Sequence, residues 1–100
     1  MILSKRVTTE KLEYVAGMLR VISHPVRLDI IDLLHSQGRL TVQDIQESLG
    51  LEQAIASQHL ILMKDKGVLR AEKQGRYRYF SLAYPNMKNI IKCLELCCQS

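Results

Sequence analysis

Thr41-Val42-Gln43-Asp44-Ile45-Gln46-Glu47-Ser48-Leu49-Gly50-Leu51-Glu52-Gln53-Ala54-Ile55-Ala56-Ser57-Gln58-His59-Leu60 decides the fold, because two helix starts stand there with almost nothing between them. Thr41 followed by Asp44 has the form of a capping box, although Asp is shorter than the usual Glu. Val42, Ile45 and Leu49 then recur at helical spacing, and Gly50 supplies the stop. A second helix is expected from about Glu52 to Lys66, ended by Gly67. Only about three residues around Gly50 and Leu51 join the two, the arrangement of a helix-turn-helix.

Upstream, Thr8 or Thr9 is placed to cap a first helix, with Glu10 and Glu13 near its positive end. Leu12, Val15, Leu19 and Ile22 form one apolar stripe that ends near Ser23. Pro25 suits the first turn of the next helix, where its missing N–H costs nothing. Leu28, Ile31 and Leu34 are the expected buried face of that helix, and Gly38 its end. Downstream of Gly67 the period changes. Val68-Leu69-Arg70-Ala71-Glu72-Lys73 reads as a strand, Gln74-Gly75 as a turn, and Arg76 to Leu82 as a returning strand rich in Tyr and Phe. Pro85 then opens a last helix with Met87, Ile90, Ile91 and Leu94 along one side.

The 100 residues are the size of one domain, and 47% hydrophobic with 24% charged is ordinary for a globular chain. So short a chain builds a thin core, for which dimerisation over a further apolar face is a natural remedy. The net charge of +4 matters less than where it sits. Between Arg70 and Tyr79, four basic residues (Arg70, Lys73, Arg76, Arg78) stand against one acid, Glu72. Such a stripe is the footprint of a phosphate backbone, or else a solvated hairpin. Met1-Ile2-Leu3 ahead of Lys5 and Arg6 is no signal-peptide core, and no stretch nears the length of a membrane span, so a cytoplasmic protein with no membrane partner is expected. Cys93, Cys97 and Cys98 are an odd number packed near the end of the chain, which excludes a disulfide framework. His24, His35 and His59 fall on different elements, no acid or nucleophile stands at a suggestive spacing, and no glycine loop cradles phosphate, so no enzyme is expected.

The runs Ile22-Ser23-His24-Pro25-Val26-Arg27-Leu28-Asp29-Ile30-Ile31, Thr41 to Ile45, Gly50 to Leu60 and Gly75-Arg76-Tyr77-Arg78-Tyr79-Phe80-Ser81-Leu82 resemble, in this order, the ArsR/SmtB family of winged-helix repressors. The resemblance covers roughly residues 12–98. It implies an α+β, mainly α fold, a winged helix-turn-helix ordered helix-helix-helix-helix-β-hairpin-helix. It also implies a homodimer built through the first and last helices, and a repressor that leaves a double-stranded DNA operator, an inverted repeat, when an inducer binds. On this reading residues 1–100 are one domain: 1–8 an N-terminal arm, 41–66 the helix-turn-helix, 68–82 the wing and 85–98 the dimerisation helix.

On the fourth helix Ala56, Leu60 and Met63 share one side and should pack inward. Gln53, Ser57 and Lys64 lie nearly opposite, beside Ala54 and Gln58. Gln can bond adenine in bidentate fashion, Ser can bond base or phosphate, and the free N–H groups of a helix start favour phosphate. His59 matches a family position near DNA and is counted with the DNA-binding set, with an intra-domain hydrogen bond as the close alternative. In the wing Arg76 leads, with Lys73 and Arg78 behind it. Two residues depart from the family pattern. Ile61 stands where a basic residue is common, and Glu52 stands at the usual Ser cap. Ile61 is also the one residue that favours the alternative of a protein-docking winged helix without specific DNA binding.

The family's arsenic-type site places Cys-x-Cys where this chain has Thr41 and Gln43, and its zinc-type site uses Asp and His on a last helix that here, from Pro85 to Ser100, has neither. The second helix carries no cysteine for a thiol pair. What remains is Cys93, Cys97 and Cys98: the first two one turn apart on one face, the third about 100° around. Packing as small hydrophobes, with Cys97 and Cys98 extending the dimer stripe, is the leading reading; a site for a soft metal or metalloid ion or for oxidation comes second, and merely exposed thiols last.

Overall fold

The computed structural model describes residues 2–99. Met1 of the expected arm and Ser100 at the end of the last helix lie outside them. After a short 3-10 turn at Leu3–Lys5, the elements run α1 (Thr9–Ile22), α2 (Pro25–Gln37), β1 (Arg39–Thr41), α3 (Val42–Leu49), α4 (Gln53–Asp65), β2 (Leu69–Gln74), β3 (Tyr77–Leu82), a 3-10 turn at Pro85–Met87, and α5 (Lys88–Cys98).

The helix boundaries follow local chemistry. Thr8 caps α1 by accepting from the Lys11 N–H at 3.2 Å. Asp44 proves long enough for the capping box of α3: its Oδ2 accepts from the Thr41 N–H, while Thr41 Oγ1 accepts from the Asp44 N–H, each at 3.1 Å. Gly50, at φ 65 and ψ 36, then reverses the chain in the left-handed region, and the Leu51 N–H closes back on the Gln46 carbonyl at 3.0 Å. The same 6→1 closure, from Val68 N–H to Met63 carbonyl at 2.9 Å around Gly67, ends α4.

Three strands form one antiparallel sheet in the order β1-β3-β2. β1 was not expected. It is three residues long, starts behind Gly38 at φ 89, and pairs Arg39, Leu40 and Thr41 with Ser81, Phe80 and Tyr79. So short a strand offers no alternation to read. The wing turn is also displaced by one residue. Gln74 pairs with Tyr77, so the two-residue turn is Gly75-Arg76 rather than Gln74-Gly75, and Arg76 sits in the turn, not on the returning strand. Gly75 takes φ 62 while every described non-glycine residue keeps φ negative, the pattern of a hairpin turn with glycine at its first central position.

The core joins all layers: Ile30, Ile31 and Leu34 of α2, Ile45 of α3, Leu60 and Met63 of α4, and Val68 and Phe80 of the wing are its most fully buried large side chains. Ile30 rather than Leu28 completes the buried face of α2, with Leu28 only half-buried. On α1 the inward residues are Met18, Val21 and Ile22. The rest of the expected stripe stays open in the protomer, with Val15 48% and Leu19 52% exposed. The last helix does not become α-helical at Pro85 but after the 3-10 turn, from Lys88, and Ile91 is its buried residue. Leu94 of the expected apolar stripe, and Cys97 and Cys98, expected to extend it, are exposed in the protomer, as is Cys93.

Candidate nucleic-acid interface

Burial sets the rotation of α4. Ala56, Leu60 and Met63 are all fully buried, as their spacing predicts. That turns Ala54 and Gln58 to the far side, both exposed, whereas Gln53, Ser57 and Lys64 do not lie opposite the buried face as expected but along its flank, Gln53 exposed in the first turn and Ser57 and Lys64 half-buried. Glu52 is the N-cap residue, exposed, and its side chain makes no capping hydrogen bond. The first-turn N–H groups of α4 therefore lack the side-chain partner that Ser or Asp would supply. Ile55 and Ile61 are also exposed, 42% and 49%, so Ile61 is a surface residue and not a packing one.

His59 takes the other course left open by its sequence position. It is half-buried, its Nδ1 accepts from Arg27 Nε at 3.2 Å, and its ring lies 4.9 Å from that of His24. Burial first, then the Arg27 guanidinium and the His24 ring, hold its pKa below the ordinary imidazole value. The intra-domain bond thus separates His59 from the exposed set, although α4 carries all of them.

In the wing, Lys73 and Arg78 are exposed and stand directly opposite each other across the β2–β3 ladder. Like charges facing one another across strands destabilise a hairpin, and an anion between or beside them removes that cost. Arg78 extends over the Phe80 ring with its guanidinium carbon 5.7 Å from the centroid. Arg76 at the tip lies 5.3 Å over Tyr77 and donates to its hydroxyl at 3.4 Å. Sequence reading missed Arg39 of β1, which stacks 4.3 Å over Tyr79 and donates from Nη2 to Gln74 Oε1 at 2.9 Å, bracing the wing from its other edge. Nothing short of the β1–β3 register places Arg39 there.

Cys93, Cys97 and Cys98 are exposed on α5. Among the described residues, no group of three or more His, Cys, Asp or Glu side chains is placed to share one metal ion, and no helix is long and apolar enough to cross a membrane.

Comparison with known proteins places this geometry among regulators of transcription. A family model described as a helix-turn-helix domain matches residues 22–72. The transcriptional repressor PagR of Bacillus anthracis is 38% identical over 85% of this chain and 90% of its own. Its crystal structure superposes with a TM-score of 0.78, covering 85% of this chain and 97% of PagR at 39% identity. The HTH-type transcriptional repressor SmtB of Mycobacterium tuberculosis is 32% identical over 82% of this chain and 60% of its own. The homodimeric winged helix-turn-helix DNA-binding domain of Mb0332 from Mycobacterium bovis, described as a possible ArsR-family regulator, reaches a TM-score of 0.77 at 26% identity, covering 90% and 82% of the two chains.

Proposed function

This chain belongs to the ArsR/SmtB family of winged helix-turn-helix transcriptional repressors, and we propose that it acts as a homodimeric repressor whose α4 reads double-stranded DNA in the major groove. The observation that carries this reading is the rotation of α4. With Ala56, Leu60 and Met63 sealed in the core, the amides of Gln53 and Gln58 and the small Ala54 are turned to solvent from its first turns. Gln53 and Gln58 suit adenine edges, Ala54 permits close approach or a thymine-methyl contact, and Ser57 serves base or phosphate. Lys64 at the far end and Lys73, Arg76 and Arg78 of the wing supply phosphate contacts, which orient the protein without reading sequence.

Dimerisation is assigned to α1 and α5, whose Val15, Leu19 and Leu94 are apolar groups left open in the protomer. A two-fold pair of recognition helices calls for an inverted repeat, with half-sites about one helical turn, roughly 34–36 Å, apart. We place the repressor in the cytoplasm with its operator and assign it no catalytic step. Any inducer is assigned to α5, where the thiols of Cys93, Cys97 and Cys98 are open to a soft ion or an oxidant. The exposed Ile55 and Ile61 are the chemistry a docking surface would use, but the relatives are named as repressors and regulators of transcription, and DNA binding is the reading that stands.

Selection of bound duplexes from a random pool tests the proposal. The expected result is enrichment of a two-fold-symmetric sequence, bound with an affinity that falls linearly in log–log form with salt. No affinity for any duplex at low salt would overturn it.

A further inference from the structure

Arg27 ties together two elements that a repressor of this design has to keep in register. Its Nη1 donates to the Val21 carbonyl in the last turn of α1 at 3.1 Å, and its Nε donates to His59 Nδ1 on α4 at 3.2 Å. His24, the N-cap of α2, packs its ring against the same imidazole with planes inclined at 56°, and its own Nδ1 accepts from the Val26 N–H at 3.1 Å. An Nδ1 that accepts a hydrogen bond carries a lone pair, so His59 in this arrangement is the neutral tautomer with its proton on Nε2. A second proton has one place to go, the Nδ1 that Arg27 already occupies. It turns the acceptor into a donor and sets an imidazolium beside a guanidinium.

We propose that Arg27 and His59 form a proton-sensitive latch that sets the recognition helix for DNA, closed while His59 is neutral and released when it is protonated. Both are positioning residues, and the proposal rests on the reading of α4 as the DNA-reading helix. The groups that bear on His59 are Arg27 from α2 and His24 from the α1–α2 connection, and neither favours a second proton. Burial acts in the same direction. The folded chain therefore binds fewer protons at this site than the unfolded chain. The latch is fully present above the ordinary imidazole range and is lost as pH falls through the lower folded-state value. Direct contact gives the opposite sign: a histidine touching phosphate holds DNA more tightly once protonated.

The sign decides. Operator affinity of the full chain is measured at constant salt from about pH 7.5 to about pH 5.5, for the wild type and for His59→Asn. The Asn side-chain oxygen takes the place of Nδ1 and accepts from Arg27 but does not titrate. The expected result is a wild-type loss of roughly threefold or more that the Asn variant does not show. An independent reading needs no DNA. In the wild type, imidazole resonances should report an Nε2–H tautomer for His59 and a pKa below the ordinary value, and Arg27→Met should raise that pKa. The latch is overturned if acid tightens wild-type binding, if both proteins share one pH profile, or if Arg27→Met leaves the His59 titration where it was. Failure to bind DNA at neutral pH sinks the reading of α4 instead, and the titration still decides whether the latch exists.

Discussion

Arg76 fills the second place of the two-residue wing turn, behind Gly75, exposed at the tip with its guanidinium leaning on the Tyr77 ring and hydroxyl. A side chain so placed meets phosphate rather than base edges. Arg76→Ala should therefore weaken binding equally for all sequences and flatten the log–log salt slope by about 0.9, one phosphate contact. Titrations at several salt concentrations check this, and an unchanged slope removes Arg76 from the contact set. Gln58→Ala should behave differently, losing about 1–3 kcal/mol on the preferred operator and discriminating less between bases there. The local charge pattern singles out Arg76 as a candidate, but its expected place was off by one residue, because Gln74-Gly75 and Gly75-Arg76 are both acceptable turns until the register is known. The partners of Arg39 and Arg27 were not legible at all. The side-chain bonds Arg39–Gln74 and Arg27–His59 join residues 35 and 32 positions apart, separations at which no local period carries information.

Glu52 at the head of α4 sets the next scale, because it affects the whole element through its end. It caps nothing, and it stands at the helix end that would receive a backbone phosphate. Glu52→Ser should gain on two counts. The hydroxyl can accept from a first-turn N–H, worth about 1 kcal/mol of stability less what the Glu charge gave to the helix dipole. It also removes a negative charge from the DNA side, so affinity should rise several-fold at low salt and less at high salt. Thermal melts and DNA titrations separate the two effects. A higher Tm with unchanged affinity would mean that Glu52 points away from the DNA. The helix pair itself was readable because three of its four boundaries carry their own chemistry, the Thr41–Asp44 box, the Gly50 reversal and the Gly67 stop, and only the uncapped start of α4 does not. β1 was not, since three residues between a helix and a helix cap have no repeat to display, and its stability comes from pairing with β3. The α5 boundary shows a third case. Pro85 does mark a change of structure, but its first turn is 3-10, and only then does the α-helix begin.

At the scale of the molecule, the apolar stripe of α1 is the feature that one protomer leaves unused. Met18 and Ile22 serve the core, while Val15 and Leu19 line an open groove with Leu12, Tyr84 and Ile90. The sequence showed the stripe, but its period could not say which half packs within the protomer and which against a second copy. That distinction depends on where α5 and the Tyr84 segment lie. Contiguous exposed apolar surface of this kind on a small domain marks an interaction site, and a chain of 100 residues gains most from covering it. Leu19 is half-exposed in the protomer, so Leu19→Glu should leave the fold of each copy intact while placing two like charges in the dimer face. Light scattering during size-exclusion chromatography should then report a monomer for the variant and a dimer for the wild type. DNA binding should fail with it, and for a calculable reason. When one half-site is bound, the second recognition helix acts at an effective concentration near millimolar. Its loss costs roughly a hundredfold or more in affinity for the full inverted repeat, but little for an isolated half-site. Comparison of full and half operators therefore separates a broken dimer from a damaged reading helix. Should Leu19→Glu stay dimeric with full affinity, the α1 face is not the interface, and the two-fold arrangement of recognition helices has to be built from another surface.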